Sequence, residues 1–179
     1  CSSLASLNPF ASSGPEPAPL PAVVEPMPLA PAFSVGLTQA PNRYLTPAVA
    51  GEHLIVAGGE GELIALGRQG EVRWRTAIGA PIVAGVGADG RLAAVVTDRG
   101  EVVAINVSDG SVRWRRQAGV FTLTPPLVAN GLVVVRGIDH RITAFAALDG
   151  EPRWRYARPL PPLSLRHSAP LVAAEGVLF

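Results

Sequence analysis

Several residue types are scarce in this sequence, and their scarcity excludes some classes of site and of function. Cys1 is the only cysteine among 179 residues, which excludes intramolecular disulfides, cysteine-based zinc sites and iron–sulfur clusters. All 15 basic residues are arginines, and the formal net charge of +1 argues against a nucleic-acid-binding surface. No run of 18 apolar residues occurs, so no transmembrane helix is predicted.

Glycine and proline are abundant, at 19 and 18 residues, which is typical of a turn-rich all-β chain or a disordered one. Nine of the prolines lie in residues 1–41, a stretch without any basic residue. Proline cannot donate backbone hydrogen bonds, and this stretch has no amphipathic period. We therefore predict a Pro/Ala/Ser-rich linker over 1–41, disordered over 2–32, and a folded domain over 42–179, with residues 33–45 leading the chain onto that domain.

The chain starts at Cys1, whereas translation starts at methionine. This start predicts a processed bacterial lipoprotein, in which a signal peptide is removed just before a cysteine that then carries acyl chains such as palmitate. Ser2 beside that cysteine favours the outer membrane over the inner one in the usual bacterial sorting pattern. The expected location is the periplasmic face of the outer membrane of a Gram-negative bacterium. The alternative is a chain that happens to begin at cysteine.

From residue 46 onward the sequence repeats with a period near 40 residues. Trp74, Trp114 and Trp154 stand in the similar segments QGEVRWRTA, DGSVRWRRQ and DGEPRWRYA. Short apolar runs separated by Gly-rich turns precede each tryptophan, a pattern typical of the four-stranded blades of a β-propeller. The predicted blades cover about 46–78, 80–118 and 124–157, and a fourth begins at 168–179.

Within the second repeat, we predict strands at about 81–85, 91–97, 101–106 and 111–117. The segments ADGR, DRGE and SDGS between them predict tight turns, because aspartate and glycine tolerate positive φ. Alternation along the last strand places Val112 and Trp114 on one face, with Arg113 and Arg115 facing solvent on the other. The three repeated tryptophans are then expected to pack between neighbouring blades.

The predicted blade count falls short of a closed ring. About three and a half blades are present, whereas propellers close with four to eight. We therefore expect this chain to be the amino-terminal portion of a longer protein. The alternative is that two partial propellers pair to complete a ring.

The blade segment VVAINVSDGSVRW resembles the quinoprotein-like propeller family over most of residues 46–179. The segment RWRYARPLPPLSLRHSAP, together with the initial cysteine and the Pro-rich tether, resembles the BamB family of outer-membrane lipoproteins. That resemblance implies an eight-bladed, non-catalytic scaffold of the outer-membrane β-barrel assembly complex. Its implied partners are the POTRA domains of BamA and unfolded outer-membrane proteins as clients. The family's contact residues correspond here to Leu163, Leu165 and Arg166.

The loop around these three residues also suits a contact surface on physical grounds. Its prolines restrict the backbone, which lowers the entropy lost on binding. Leu163 and Leu165 alternate with polar residues, so both can lie on one face, and Arg166 offers a planar donor group to a partner's carboxylate. In the alternative interpretation, the leucines cap the local blade core and Arg166 is a solvated loop residue.

No catalytic, cofactor-binding or metal-binding residue is predicted. His53, His140 and His167 are scattered and lack metal-ligand spacing. Two further functional alternatives remain. A quinoprotein dehydrogenase that uses the quinone PQQ would share the propeller but needs cofactor and calcium ligands at its axis. An envelope-binding propeller would need an aromatic-lined groove, for which the sequence offers few residues.

Overall fold

Each of the three repeats folds into a four-stranded antiparallel sheet, because each consists of short apolar runs separated by tight turns. The computed structural model describes residues 30–38, 45–158 and 169–179. The chain divides into two units, Cys1–Pro31 and Ala32–Phe179, and every strand of the described residues lies in the second. No helix among the described residues is long and apolar enough to cross a membrane.

The strands follow the repeats in chain order. Blade 1 contains β1 (Ala48–Ala50), β2 (His53–Ala57), β3 (Glu62–Leu66) and β4 (Val72–Ala77). Blade 2 contains β5 (Ile82–Ala88), β6 (Leu92–Thr97), β7 (Glu101–Asn106) and β8 (Val112–Gln117). Blade 3 contains β9 (Leu127–Ala129), β10 (Leu132–Arg136), β11 (Ile142–Ala146) and β12 (Pro152–Tyr156). A two-stranded hairpin follows, with β13 (Ala173–Ala174) and β14 (Val177–Leu178).

In every blade each strand pairs with the next one along the chain, and the first strands β1, β5 and β9 of successive blades are in contact. This is the arrangement of propeller blades, so the predicted all-β propeller architecture is confirmed. In blade 2 the predicted strands agree with the observed ones to within a residue, except that β5 runs on to Ala88. Irregular pairing between β5 and β6 near Ala84 accommodates the extra length.

The core lies between blades, and blade 2 is covered on both faces. Ile105 and Val95 belong to the cluster shared with blade 1, whereas Ala104 and Val96 belong to the cluster shared with blade 3. All six residues of β6 are buried as a result. A strand covered on both faces has no polar side, which explains the continuous apolar run LAAVVT.

The predicted alternation along the outer strand is wrong at one position, because a β-bulge interrupts it. Trp114 pairs with Ala104, but Val112 pairs with Ile105, which leaves Arg113 as an extra residue. Neighbouring residues of β7 face opposite sides, so Val112 and Trp114 also lie on opposite faces. The same register shift precedes the tryptophan in blades 1 and 3.

Candidate functional site

The predicted site residues fall into two groups with respect to the described chain. Outside the described residues lie the predicted lipidation site and the predicted partner contacts: Cys1, Leu163, Leu165 and Arg166. The described residues include Trp74, Trp114 and Trp154, which occupy equivalent positions of the three outer strands. Each tryptophan pairs across the sheet with an alanine, which leaves space for the indole ring.

Two of the tryptophans join their own blade to the next one. The indole nitrogen Nε1 of Trp74 donates to the carbonyl of Val107 at 2.8 Å, and that of Trp114 donates to the carbonyl of Ala147 at 3.0 Å. In both joints the acceptor lies 33 residues after the tryptophan. A buried indole needs such an acceptor for its N–H group. The two contacts therefore repeat one inter-blade joint.

A glycine completes each joint. A Cβ atom on Gly110 would lie 2.6 Å from the ring of Trp74, and one on Gly150 would lie 2.6 Å from the ring of Trp114. Both glycines have φ near +73°, in the left-handed region. The sequence indicates Gly110 only as a turn residue, within the segment SDGS. The repeated spacing of 36 residues from tryptophan to glycine is the signal that could have revealed the contact.

Trp154 stands apart from the other two, because no third joint forms among the described residues. Its side chain is 41% exposed, against 6% for Trp114. Neighbouring Tyr156 and Leu148 are exposed as well. A carbonyl 33 residues after Trp154 would lie beyond residue 179. Among the described residues, the flank of blade 3 therefore lacks the acceptor carbonyl and the glycine of the other two joints.

Arginines of the outer strand β8, which were predicted to face solvent, donate hydrogen bonds to the neighbouring blades. Arg115 donates through Nη1 to Glu101 at 3.0 Å and through Nη2 to the carbonyl of Ile78 in blade 1 at 2.8 Å. Arg116 reaches the carbonyl of Asp149 in blade 3 at 3.1 Å. Hydrogen bonds to charged groups are stronger than neutral ones. These bonds hold blade 2 to both neighbours.

Both flanks of residues 159–168, which contain the predicted contact residues, are attached to blade 3. On one side, β12 ends at Tyr156. On the other side, the guanidinium of Arg136 on β10 donates to the carbonyl of Ala169. Leu171 is 7% exposed and packs in a cluster with Val134 of the same blade. The blade therefore fixes where this segment begins and ends.

Hydrogen bonds lower the pKa values of half-buried Glu62 and of exposed Asp109. The backbone N–H of Thr38 and the guanidinium of Arg75 lower the pKa of Glu62 below its ordinary value of 4.5. Hydrogen bonds from the hydroxyl and backbone N–H of Ser111 lower the pKa of Asp109. Asp109 lies in a turn beside one of the joint glycines, so its charge stabilises that turn at neutral pH.

The described residues contain little that suggests catalysis. Within 30–38, 45–158 and 169–179, no three His, Cys, Asp or Glu side chains are grouped so that they could hold a metal ion. An open groove of about 410 Å³ lies between turns of blades 1 and 2. It is lined by His53, Asn106 and two arginines, Arg91 and Arg113, among others.

Comparison with known proteins agrees with this architecture. Residues 68–179 match the family model described as outer membrane protein assembly factor BamB. The chain is 40% identical over 136 residues to a protein of that name from Bordetella pertussis and 41% identical over 135 residues to one from Burkholderia pseudomallei. Each alignment covers 74% of this chain but only 34% and 35% of those relatives.

Solved structures show the same fold. BamB from Moraxella catarrhalis matches with a TM-score of 0.67 and 23% identity, over 79% of this chain and 44% of that one. A quinohemoprotein alcohol dehydrogenase from Comamonas testosteroni matches with a TM-score of 0.52 and 22% identity, over 62% of this chain and 20% of that one. The chain spans about a third of the length of the two curated relatives. From the family match and these identities, the chain belongs to the BamB family of outer membrane protein assembly factors.

Proposed function

We propose that this chain is part of a non-enzymatic scaffold that assists the assembly of outer-membrane proteins. The supporting observation is 40% identity over 136 residues to a relative named as an outer membrane protein assembly factor. The proposed protein is anchored through lipidated Cys1 to the outer membrane and faces the periplasm. Its proposed partners are the POTRA domains of BamA, with unfolded outer-membrane proteins as clients.

The proposed mechanism is presentation of a contact segment by a rigid blade. Leu163, Leu165 and Arg166 would bind a POTRA domain. The Arg136 contact with the carbonyl of Ala169 supports this mechanism, because it anchors one flank of the segment while β12 anchors the other. A segment whose ends are held in place loses less conformational entropy when it binds.

Calorimetry with the full-length, lipid-free protein and purified POTRA domains tests the proposal. We expect the parent to bind and the Leu163/Leu165/Arg166→Ala triple variant to lose at least about tenfold in affinity, which corresponds to about 1.4 kcal/mol. Arg99→Ala removes an exposed arginine from the β6–β7 turn of blade 2 and serves as the matched control for lost charge. Each variant must melt at the temperature of the parent.

The possible outcomes distinguish an error in the proposed partner from an error in the proposed contact residues. Equal binding by the parent and the triple variant would mean that the partner is right and the three residues are wrong. Absence of binding by the parent would contradict the proposed partner. In that case, reconstitution with a quinone and calcium tests the dehydrogenase alternative. The structural likeness to the Comamonas enzyme, at 22% identity, concerns the fold alone.

A further inference from the structure

Three turns of blades 1 and 2 line the open groove between these blades. They are the β1–β2 turn with Gly51 and Glu52, the β5–β6 turn with Gly90 and Arg91, and the β7–β8 turn with Val107 and Ser108. Antiparallel pairing places all three turns at one end of the blades, opposite the end at which β12 leaves blade 3. The volume of the groove, about 410 Å³, lies within the range of sites that hold small molecules.

The side chains of Arg91 and Arg113 line this groove without a bonded partner. Among the described residues, neither guanidinium makes an ion pair or a hydrogen bond. In the same part of the chain, the backbone N–H of Gly90 and both the N–H and the hydroxyl of Ser108 are also unpaired. The groove therefore offers several hydrogen-bond donors to a ligand, and two of the donor groups are cationic. Bonds from such cationic donors to an anion are stronger than bonds between neutral groups.

The carboxylates near the groove bind other partners. Glu52 pairs with Arg68 at 2.6 Å. Asp89 accepts hydrogen bonds from two backbone N–H groups of its own turn, at 2.7 and 2.8 Å. Asp109 accepts from the backbone N–H and the hydroxyl of Ser111, at 2.9 and 2.7 Å. The two groove arginines are left without a bonded counter-charge, and a cleft lined by such charges attracts anions.

Comparison of the repeats shows that Arg113 lacks a carboxylate that its counterpart in blade 1 binds. In blade 1, the arginine directly before the tryptophan is Arg73, which pairs with Glu71 at 2.7 Å. In blade 2, the arginine at this position is Arg113, and the residue two positions before it is Ser111. Blade 3 has a carboxylate there as well, in Glu151. Blade 2 is therefore the blade of the three in which this negative charge is missing.

Arg91 also differs from its counterparts in the other blades. It directly precedes the second strand of blade 2, where blade 1 has Glu52 and blade 3 has Gly131. Blade 2 thus combines an added arginine with an arginine whose carboxylate is absent, and both side chains line one groove. A ligand that binds both arginines has to supply the negative charge itself.

We propose that this groove is an anion-binding site that holds a phosphate group with the guanidinium groups of Arg91 and Arg113. The planar donor fork of arginine matches phosphate geometry, and unpaired backbone N–H groups of turns also bind phosphates. A phosphate carries more acceptor oxygens than a carboxylate, which suits the number of free donors here. The ligand is either a small phosphate ester or the head group of a phospholipid. The site does not involve residues 159–168, so it is separate from the proposed POTRA contact.

Calorimetry with the full-length, lipid-free protein tests this site, with glycerol 3-phosphate as the ligand and glycerol as its uncharged counterpart. We expect the parent to bind glycerol 3-phosphate and not glycerol. Arg91→Ala and Arg113→Ala should each lower the affinity at least about tenfold, because each removes a charge-assisted hydrogen bond. Arg99→Ala is the matched control, since it removes an exposed arginine from the β6–β7 turn at the other end of blade 2.

Ser111→Glu tests the same site without removing a donor from the groove. It gives blade 2 the carboxylate that blade 1 carries, which would pair with Arg113 as Glu71 pairs with Arg73. We expect this variant to lose at least about tenfold in affinity for glycerol 3-phosphate, because the new carboxylate occupies one guanidinium and repels the ligand. Ser111→Gln, the matched uncharged control, should bind like the parent. Each variant must melt at the temperature of the parent.

Cosedimentation with vesicles distinguishes the two sources of the phosphate group. Binding to phosphatidylglycerol but not phosphatidylcholine vesicles, lost in Arg91→Ala and kept in Arg99→Ala, would identify a lipid head group. Binding of glycerol 3-phosphate without binding to vesicles would identify a soluble phosphate ester. Equal affinity of the parent, Arg91→Ala and Arg113→Ala for glycerol 3-phosphate would overturn the site, as would absence of binding to both probes. Equal affinity of the parent for the dicarboxylate glutarate would overturn the choice of phosphate.

Discussion

The repeated tryptophan has two requirements that a single neighbouring blade satisfies together. Its ring needs an apolar surface on the neighbouring blade that it can contact closely. Its N–H group needs a hydrogen-bond acceptor. Gly110 and the carbonyl of Val107 meet these needs for Trp74. Sequence reasoning predicted inter-blade packing from the 40-residue period. It did not predict the acceptors, because backbone carbonyls carry no signal in the sequence.

At the residue scale, we expect Trp114→Ala to lower the free energy of unfolding of this chain by about 3–5 kcal/mol, as buried tryptophan truncations do. The ring is 6% exposed and lies 6.0 Å from that of Phe145. Trp154→Ala should cost less than about 1 kcal/mol in the same chain, because its side chain is 41% exposed. Urea unfolding followed by circular dichroism measures both. Equal losses would contradict the assigned joints.

Among the strands and turns of blade 2, the apolar runs predicted β6 and β7 well, but the alternation predicted along β8 was wrong at the bulge. A β-bulge depends on how two strands fit together, so the sequence of one strand does not reveal it. The turns were easier to predict from the sequence, because a tight turn depends on the few residues within it. Asp89 accepts hydrogen bonds from the backbone N–H groups of Arg91 and Leu92 at 2.7 and 2.8 Å, as expected for an aspartate that caps a tight turn.

The glycine of a joint should tolerate substitution much less than an ordinary turn glycine. Gly110→Ala places a Cβ atom against the ring of Trp74 in a backbone conformation with φ of +73°. We expect a loss of about 2–5 kcal/mol, from about 1–2 for the left-handed conformation and about 1–3 for overpacking. Gly119→Ala is the matched control, since Gly119 also has a positive φ, of +65°, and nothing lies within 4 Å of its added Cβ. Thermal melts that show similar shifts for both variants would argue against the joint.

For the whole molecule, each blade depends on its neighbours for the burial of its faces. Blade 2 has a neighbour on either side, and all of β6 is buried. In blade 3, every residue of β12 is exposed. Stability in such arrays is approximately a sum of repeat and neighbour terms. The described blades therefore differ in how much their neighbours stabilise them, most for blade 2 and less for blade 3.

This dependence predicts a difference between the 179-residue chain and the full-length protein. In the full-length protein, we expect Trp154→Ala to cost about 3–5 kcal/mol, as Trp114→Ala does, because a following blade would supply the glycine and the carbonyl of a third joint. The measurement is urea unfolding of the two variants in full-length protein. A loss that stays below about 1 kcal/mol for Trp154→Ala would show that no such joint forms.

The features that could be predicted from the sequence are those that local chemistry controls. These are the all-β class, the 40-residue blade period, the strands of blade 2 and the positions of its turns, since apolar alternation and Asp-Gly turns act over a few residues. The packing of one blade on another set which carbonyl accepts from each indole and which glycine lies against its ring. These features depend on contacts between residues more than 30 positions apart, and only the packing of one blade on another brings those residues together.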